Sequence, residues 1–99
     1  MLVIAGTFEI DPDQRDALIA AAIAVQQASR EEEGCLIYTW SADLEDLSKV
    51  HVVEKWTSQE ALERHLALPH VADFRAVSKT AVLGGDVVKY EVSSEGPVR

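Results

Sequence analysis

From Leu2 to Ile10 the chain is apolar and rich in β-branched residues, which predicts a strand. Asp11-Pro12-Asp13-Gln14 then reads as a helix start. Asp11 can cap, Pro12 suits the first helical position, and Gln14 can reach back as in a capping box. Leu18, Ala21, Ala22, Val25 and Ala28 recur at helical spacing, so one face of this helix is apolar. Its alanine content lets it lie close against a sheet. The charged run Arg30-Glu31-Glu32-Glu33 and then Gly34 end it.

Cys35 to Ser41 predicts a second strand, with Leu36, Tyr38 and Trp40 on one face and Cys35, Ile37 and Thr39 on the other. A polar turn at Asp43 to Asp46 joins it to a third strand, Lys49 to Trp56, as an antiparallel hairpin. Thr57 and Glu60 stand at capping-box spacing and open a second helix that runs to about Leu68. Pro69 interrupts it. Val71, Phe74 and Val77 predict a further helical turn or two, Gly84-Gly85 a turn or bulge, and Val87 to Val92 a last strand. The order is β-α-β-β-α-β, the α+β ferredoxin-like arrangement of an antiparallel sheet with its helices on one face. Residues 1–92 form the single domain, and 93–99 a loose polar tail. The strands carry apolar residues on both faces: Ile4, Phe8, Val50 and Val52 on one, Val3, Ala5 and Val53 on the other. A lone subunit would leave one apolar face in water, so a homodimer with facing sheets is expected.

The charge balance narrows the partners. Seventeen acidic against nine basic residues give a net charge of -8. That argues against nucleic acid, whose binders concentrate Lys and Arg, and against anionic membranes. No apolar run approaches the roughly 18 residues a membrane helix needs, and no basic leader opens the chain. The single Cys35 excludes an intrachain disulfide and fits a reducing, cytoplasmic setting.

The candidate chemistry lies between Gly34 and Phe74. Glu54 and Trp56 share a strand face with Val50 and Val52. A carboxylate in such company is costly unless paired, and its pKa tends to rise. Alternatively, Glu54 sits near the strand end and reaches water. His65 follows Ala61 by four residues and Leu62 by three, so it points with the core stripe. It is either a satisfied core histidine or a proton-transfer group working near neutral pH. His70, Phe74 and Tyr38 fit a pocket wall as well as ordinary surface or core positions. His51 has the opposite parity and falls on the other sheet face. Cys35 lacks a basic neighbour, which argues against a nucleophile. There is no dinucleotide fingerprint, P-loop or nucleophile elbow. His65 and His70 are five apart with a proline between, which is not a helical metal spacing.

These residues carry a resemblance. G-C-L-I-Y at Gly34 to Tyr38, V-x-E-x-W at Val52 to Trp56, and S-x-E-A-L-x-x-H-L-x-x-P-H-x-x-x-F at Ser58 to Phe74 resemble the antibiotic biosynthesis monooxygenase family. The similarity extends over Leu2 to Val92. It implies a dimeric α+β barrel with a cavity between sheet and helices in each subunit. It also implies oxidation of a quinol or polycyclic phenol by molecular oxygen without flavin, haem or metal. By that analogy Glu54, Trp56, His65, His70 and Phe74 line the pocket. Trp56, Phe74 and Tyr38 would sandwich a flat ring, and His65 would accept a proton with Glu54 in support. The haem-degrading relatives place a histidine ligand where this chain has Arg75, and an asparagine where it has Gly6-Thr7, so haem cleavage is not expected. Two other readings use the same pocket: an isomerase of a small oxo-compound, and a stress-associated binding protein without turnover.

Overall fold

The computed structural model describes residues 1–99. Strand β1 is Leu2–Ile10, followed by a 3-10 turn at Pro12–Gln14 and helix α1 at Arg15–Arg30. Strands β2 (Cys35–Ala42) and β3 (Lys49–Trp56) form a hairpin, and helices α2 (Gln59–Leu66) and α3 (Pro69–Ala81) lead to strand β4 (Val82–Glu91). The sheet order is β2-β3-β1-β4, antiparallel throughout. This is the α+β ferredoxin-like fold expected from the pattern.

Local chemistry explains most element ends and moves some of them. Asp11 accepts a hydrogen bond from the Asp13 backbone N–H at 2.9 Å, satisfying one orphan donor of the turn. Gln14 makes no capping bond, so the expected capping box does not form. At α2 the cap is Ser58 rather than Thr57: the Ser58 hydroxyl accepts from Ala61 N–H at 3.1 Å. Pro69 does not merely interrupt a helix. It occupies the first turn of α3, where a missing N–H costs nothing, and the expected turn or two becomes 13 residues.

Two strands depart from simple alternation. The β2–β3 register shifts between Cys35 and Ile37, pairing Cys35 with Trp56 and Tyr38 with Glu54. That irregularity brings Cys35 to the core side with Tyr38 and Trp40 and turns Leu36 out, 52% exposed, against the predicted parity. Strand β4 begins at Val82 rather than Val87. Gly84 and Gly85 lie inside it, beside a register shift opposite Glu9 and Ile10. A side chain at Gly85 would stand 2.5 Å from the Thr7 carbonyl oxygen, so the close strand approach needs glycine.

The core lies between the sheet and the helices. One buried cluster gathers Leu2, Ile4, Val25, Tyr38, Trp56 and Leu62, with Ala61 and Val71. A second holds Ile10, Leu18, Val50 and Ala81. Trp40 and Phe74 pack against both, with ring centroids 5.1 Å apart. Each fully buried aliphatic such as Ile10 or Leu18 contributes about 1.5–3 kcal/mol. The opposite sheet face carries no helix and leaves Ile37, Val53, Val88 and Tyr90 between 42% and 54% exposed. No helix is long and apolar enough to cross a membrane.

Candidate active site

The site is built where three element ends meet. Helix α1 closes with Glu32 N–H donating to the Ser29 carbonyl at 3.0 Å. Gly34 follows with φ +87°, the left-handed region. Its carbonyl accepts from Thr57 N–H at 2.9 Å, which ties this turn to the start of α2. Held this way, the Glu32 side chain meets the last turn of α2 and the first turn of α3. Its Oε2 accepts from His65 Nδ1–H at 2.8 Å and from His70 Nε2–H at 2.7 Å. One carboxylate oxygen therefore bridges two imidazoles. Charge-assisted bonds of this kind are about twice as strong as neutral ones.

Burial grades across the three groups. The side chain of His65 is 3% exposed, Glu32 11% and His70 27%. His65 is wedged against Trp56 at 4.6 Å and Tyr38 at 5.4 Å between ring centroids. The carboxylate that bonds His65 is thus Glu32, not Glu54. Glu54 accepts instead from Trp56 Nε1–H at 3.0 Å. Burial pushes the Glu54 carboxyl above the ordinary carboxylate range, and the Trp56 bond and the charge of His65 pull it back only in part. Burial likewise pushes the Tyr38 hydroxyl up to about 12, against the Trp40 Nε1–H donated to it at 3.4 Å. Cys35 rises to about 11, first by burial and then by Glu32 and Glu54 nearby, so its thiol stays protonated at neutral pH.

The proposed pocket residues come together unequally. His65, Glu54, Trp56 and Tyr38 form one buried knot. Trp56 is wholly enclosed and Tyr38 nearly so, leaving no ring face open for a ligand to stack on. His70 and Phe74 instead line a cavity of about 210 Å³ between α1 and α3, walled by Ala21, Ala24, Val25, Asp73 and Val77. A second hollow, about 130 Å³, lies between α1 and β2 along Leu18, Ala22, Trp40 and Val50, and holds no titratable side chain. Glu32 was absent from the residues singled out in the sequence. It sat in a charged run that reads as a solvated helix end, 33 and 38 residues before its partners. On the open face, as parity predicted, Thr7 donates to His51 Nδ1 at 2.8 Å and His51 Nε2–H donates to Asp43 at 2.8 Å. That bond and two backbone N–H groups hold the Asp43 carboxyl below its usual range.

Known proteins share this fold. The antibiotic biosynthesis monooxygenase family profile matches residues 1–77. "Putative monooxygenase YcnE" of Bacillus subtilis (strain 168) is 28% identical over 94 residues, covering 94% of this chain and 99% of that one. The uncharacterized protein sll1783 of Synechocystis sp. (strain ATCC 27184 / PCC 6803 / Kazusa) is 29% identical over 74% of this chain, and the match spans half of that longer protein. The 1.40 Å crystal structure of a putative antibiotic biosynthesis monooxygenase from Deinococcus radiodurans superposes with a TM-score of 0.90. That structure is 28% identical and covers 100% of this chain and 99% of its own. The match over residues 1–77, carried by a fold shared end to end, places the chain in the antibiotic biosynthesis monooxygenase family.

Proposed function

We propose that this protein is a cofactor-independent monooxygenase that oxidises a quinol or polycyclic phenol with molecular oxygen. The observation that carries the reading is the single Glu32 oxygen shared by a buried and a cavity-facing imidazole. With its Nε2–H engaged by Glu32, neutral His70 carries its lone pair on Nδ1, the atom free to take a phenolic proton. Glu32 then stabilises the imidazolium, as the carboxylate of a hydrolase triad does. His65 is the acceptor expected from the sequence; it lies one carboxylate deeper, orients Glu32 and shares the charge. The phenolate so formed passes an electron to oxygen. One oxygen atom enters the ring as a carbonyl, the other leaves as water, and the substrate supplies both hydrogens. Phe74 and the apolar α1 wall offer an apolar surface for the ring. Glu54, Trp56 and Tyr38 hold His65 in place from behind.

Oxygen uptake by the metal-stripped protein over anthrones, naphthols and reduced quinones tests this. General-base catalysis supplies about 10²- to 10⁴-fold, so His70→Ala and His65→Ala should each lose rate on that scale. Full uptake by both variants would remove the proposed base. Turnover of an oxo-compound under argon would identify an isomerase instead, and binding without turnover a carrier. The bare apolar sheet face supports a homodimer as the working unit, and the lone, protonated Cys35 suits a reducing cytoplasm.

A further inference from the structure

We propose that Glu32, His65 and His70 also form a binding site for one divalent cation of the zinc type. Their ligand atoms, one carboxylate oxygen and two imidazole nitrogens, all lie within 4.8 Å of one another. Two of the three separations are already 2.8 and 2.7 Å. A tetrahedral zinc ion, with bonds of about 2.0–2.2 Å, sets its ligand atoms about 3.4 Å apart. The two short contacts need to open by about 0.6–0.7 Å, and the two imidazole nitrogens, within 4.8 Å of each other, to settle near the same spacing, changes that side-chain torsions can supply. Mixed imidazole and carboxylate donors suit zinc, and cobalt or nickel after it, rather than magnesium or calcium.

The parts are held as a metal site requires. His65 is fixed by the Trp56 and Tyr38 rings, and Glu32 by the turn that Gly34 anchors to α2. His70 stands at the cavity and gives the ion a way in. The sequence hid this triad because its carboxylate comes from a different element than its histidines. In the metal-free state two N–H groups occupy the place a cation would take. Ion and protons therefore compete, and affinity falls as the solution becomes acidic. A bound ion on His70 Nε2 would move the ring proton to Nδ1, the atom that the proposed proton transfer needs free. That consequence rests on the oxygenase reading; the binding itself does not, because it is measured without turnover.

The test titrates zinc into metal-stripped full-length protein against a chromogenic chelator, with cobalt absorption reporting the geometry. One zinc per chain is expected, binding at least about tenfold more weakly in Glu32→Gln and in His70→Ala. His51→Ala, which alters the other histidine–carboxylate pair, should leave affinity unchanged. Circular dichroism checks that each variant is folded, and His70 on the rim is the substitution least demanding on the core. Absence of zinc binding to the folded parent would overturn the proposal. So would undiminished binding in both site variants, or a loss in His51→Ala.

Discussion

Replacing Glu32 by glutamine keeps the shape of the side chain and removes the charge that two imidazoles share. Oxygen uptake in Glu32→Gln should fall about 10²- to 10⁴-fold, as for loss of the base itself, with the melting temperature moved far less. Measuring both separates a chemical role from a structural one. Glu54 makes a second residue-level prediction. Its folded pKa lies above the ordinary 4.5, so the folded protein holds this proton more tightly than the unfolded chain. The stabilisation is complete below the unfolded value and is lost as pH rises through the folded one. Glu54→Gln should therefore gain melting temperature relative to the parent on going from acid to neutral pH. A gain that shrinks toward neutrality would show that the ionised carboxylate is the favoured form. Of these two acids, Glu54 was legible from strand parity beside Val52 and Trp56. Glu32 was not, because no periodicity links a helix-end turn to histidines more than thirty residues on; only the tertiary fold makes that pair.

At the scale of elements, the turn between α1 and β2 sets the site. A Cβ at Gly34 would meet Ala61 Cβ at 2.6 Å and Thr57 Oγ1 at 2.8 Å, on a backbone with φ +87°. The left-handed backbone alone costs an L-residue about 1–2 kcal/mol, and the clash adds to it. Gly34→Ala should lower stability by at least that in urea unfolding, and lower oxygen uptake with it as Glu32 shifts. Ser58→Ala, removing the α2 cap, should cost about 1 kcal/mol by the same measurement. Thr57→Ala should cost less, since Thr57 does not cap. Element types and order followed from periodicity and from Pro and Gly punctuation. The errors fell where two adjacent residues compete for one role, as Thr57 and Ser58 do. They also fell where one extra residue inverts parity, as at Leu36. Neither outcome is decided by residues within the element alone: the partner strand and the packed turn decide it.

For the molecule as a whole, the uncovered sheet face predicts association. Sedimentation equilibrium should give twice the 10.8 kDa chain mass, and Val53→Glu, a change at a half-exposed position, should shift the population to single chains. A parent that sediments as one chain at micromolar concentration would rule the dimer out. The sheet order carries another consequence. Strand β1 is central, flanked by β3 and β4, both made after it on the ribosome. Until Lys49–Trp56 emerges, Leu2, Ile4 and Phe8 have no strand to join, and the second edge stays bare until Val82–Glu91 follows. Such non-local pairing folds slowly compared with helical bundles. The first strand therefore stays unpaired until residue 56 of 99 has been made, and the sheet is completed only with the last strand of the chain.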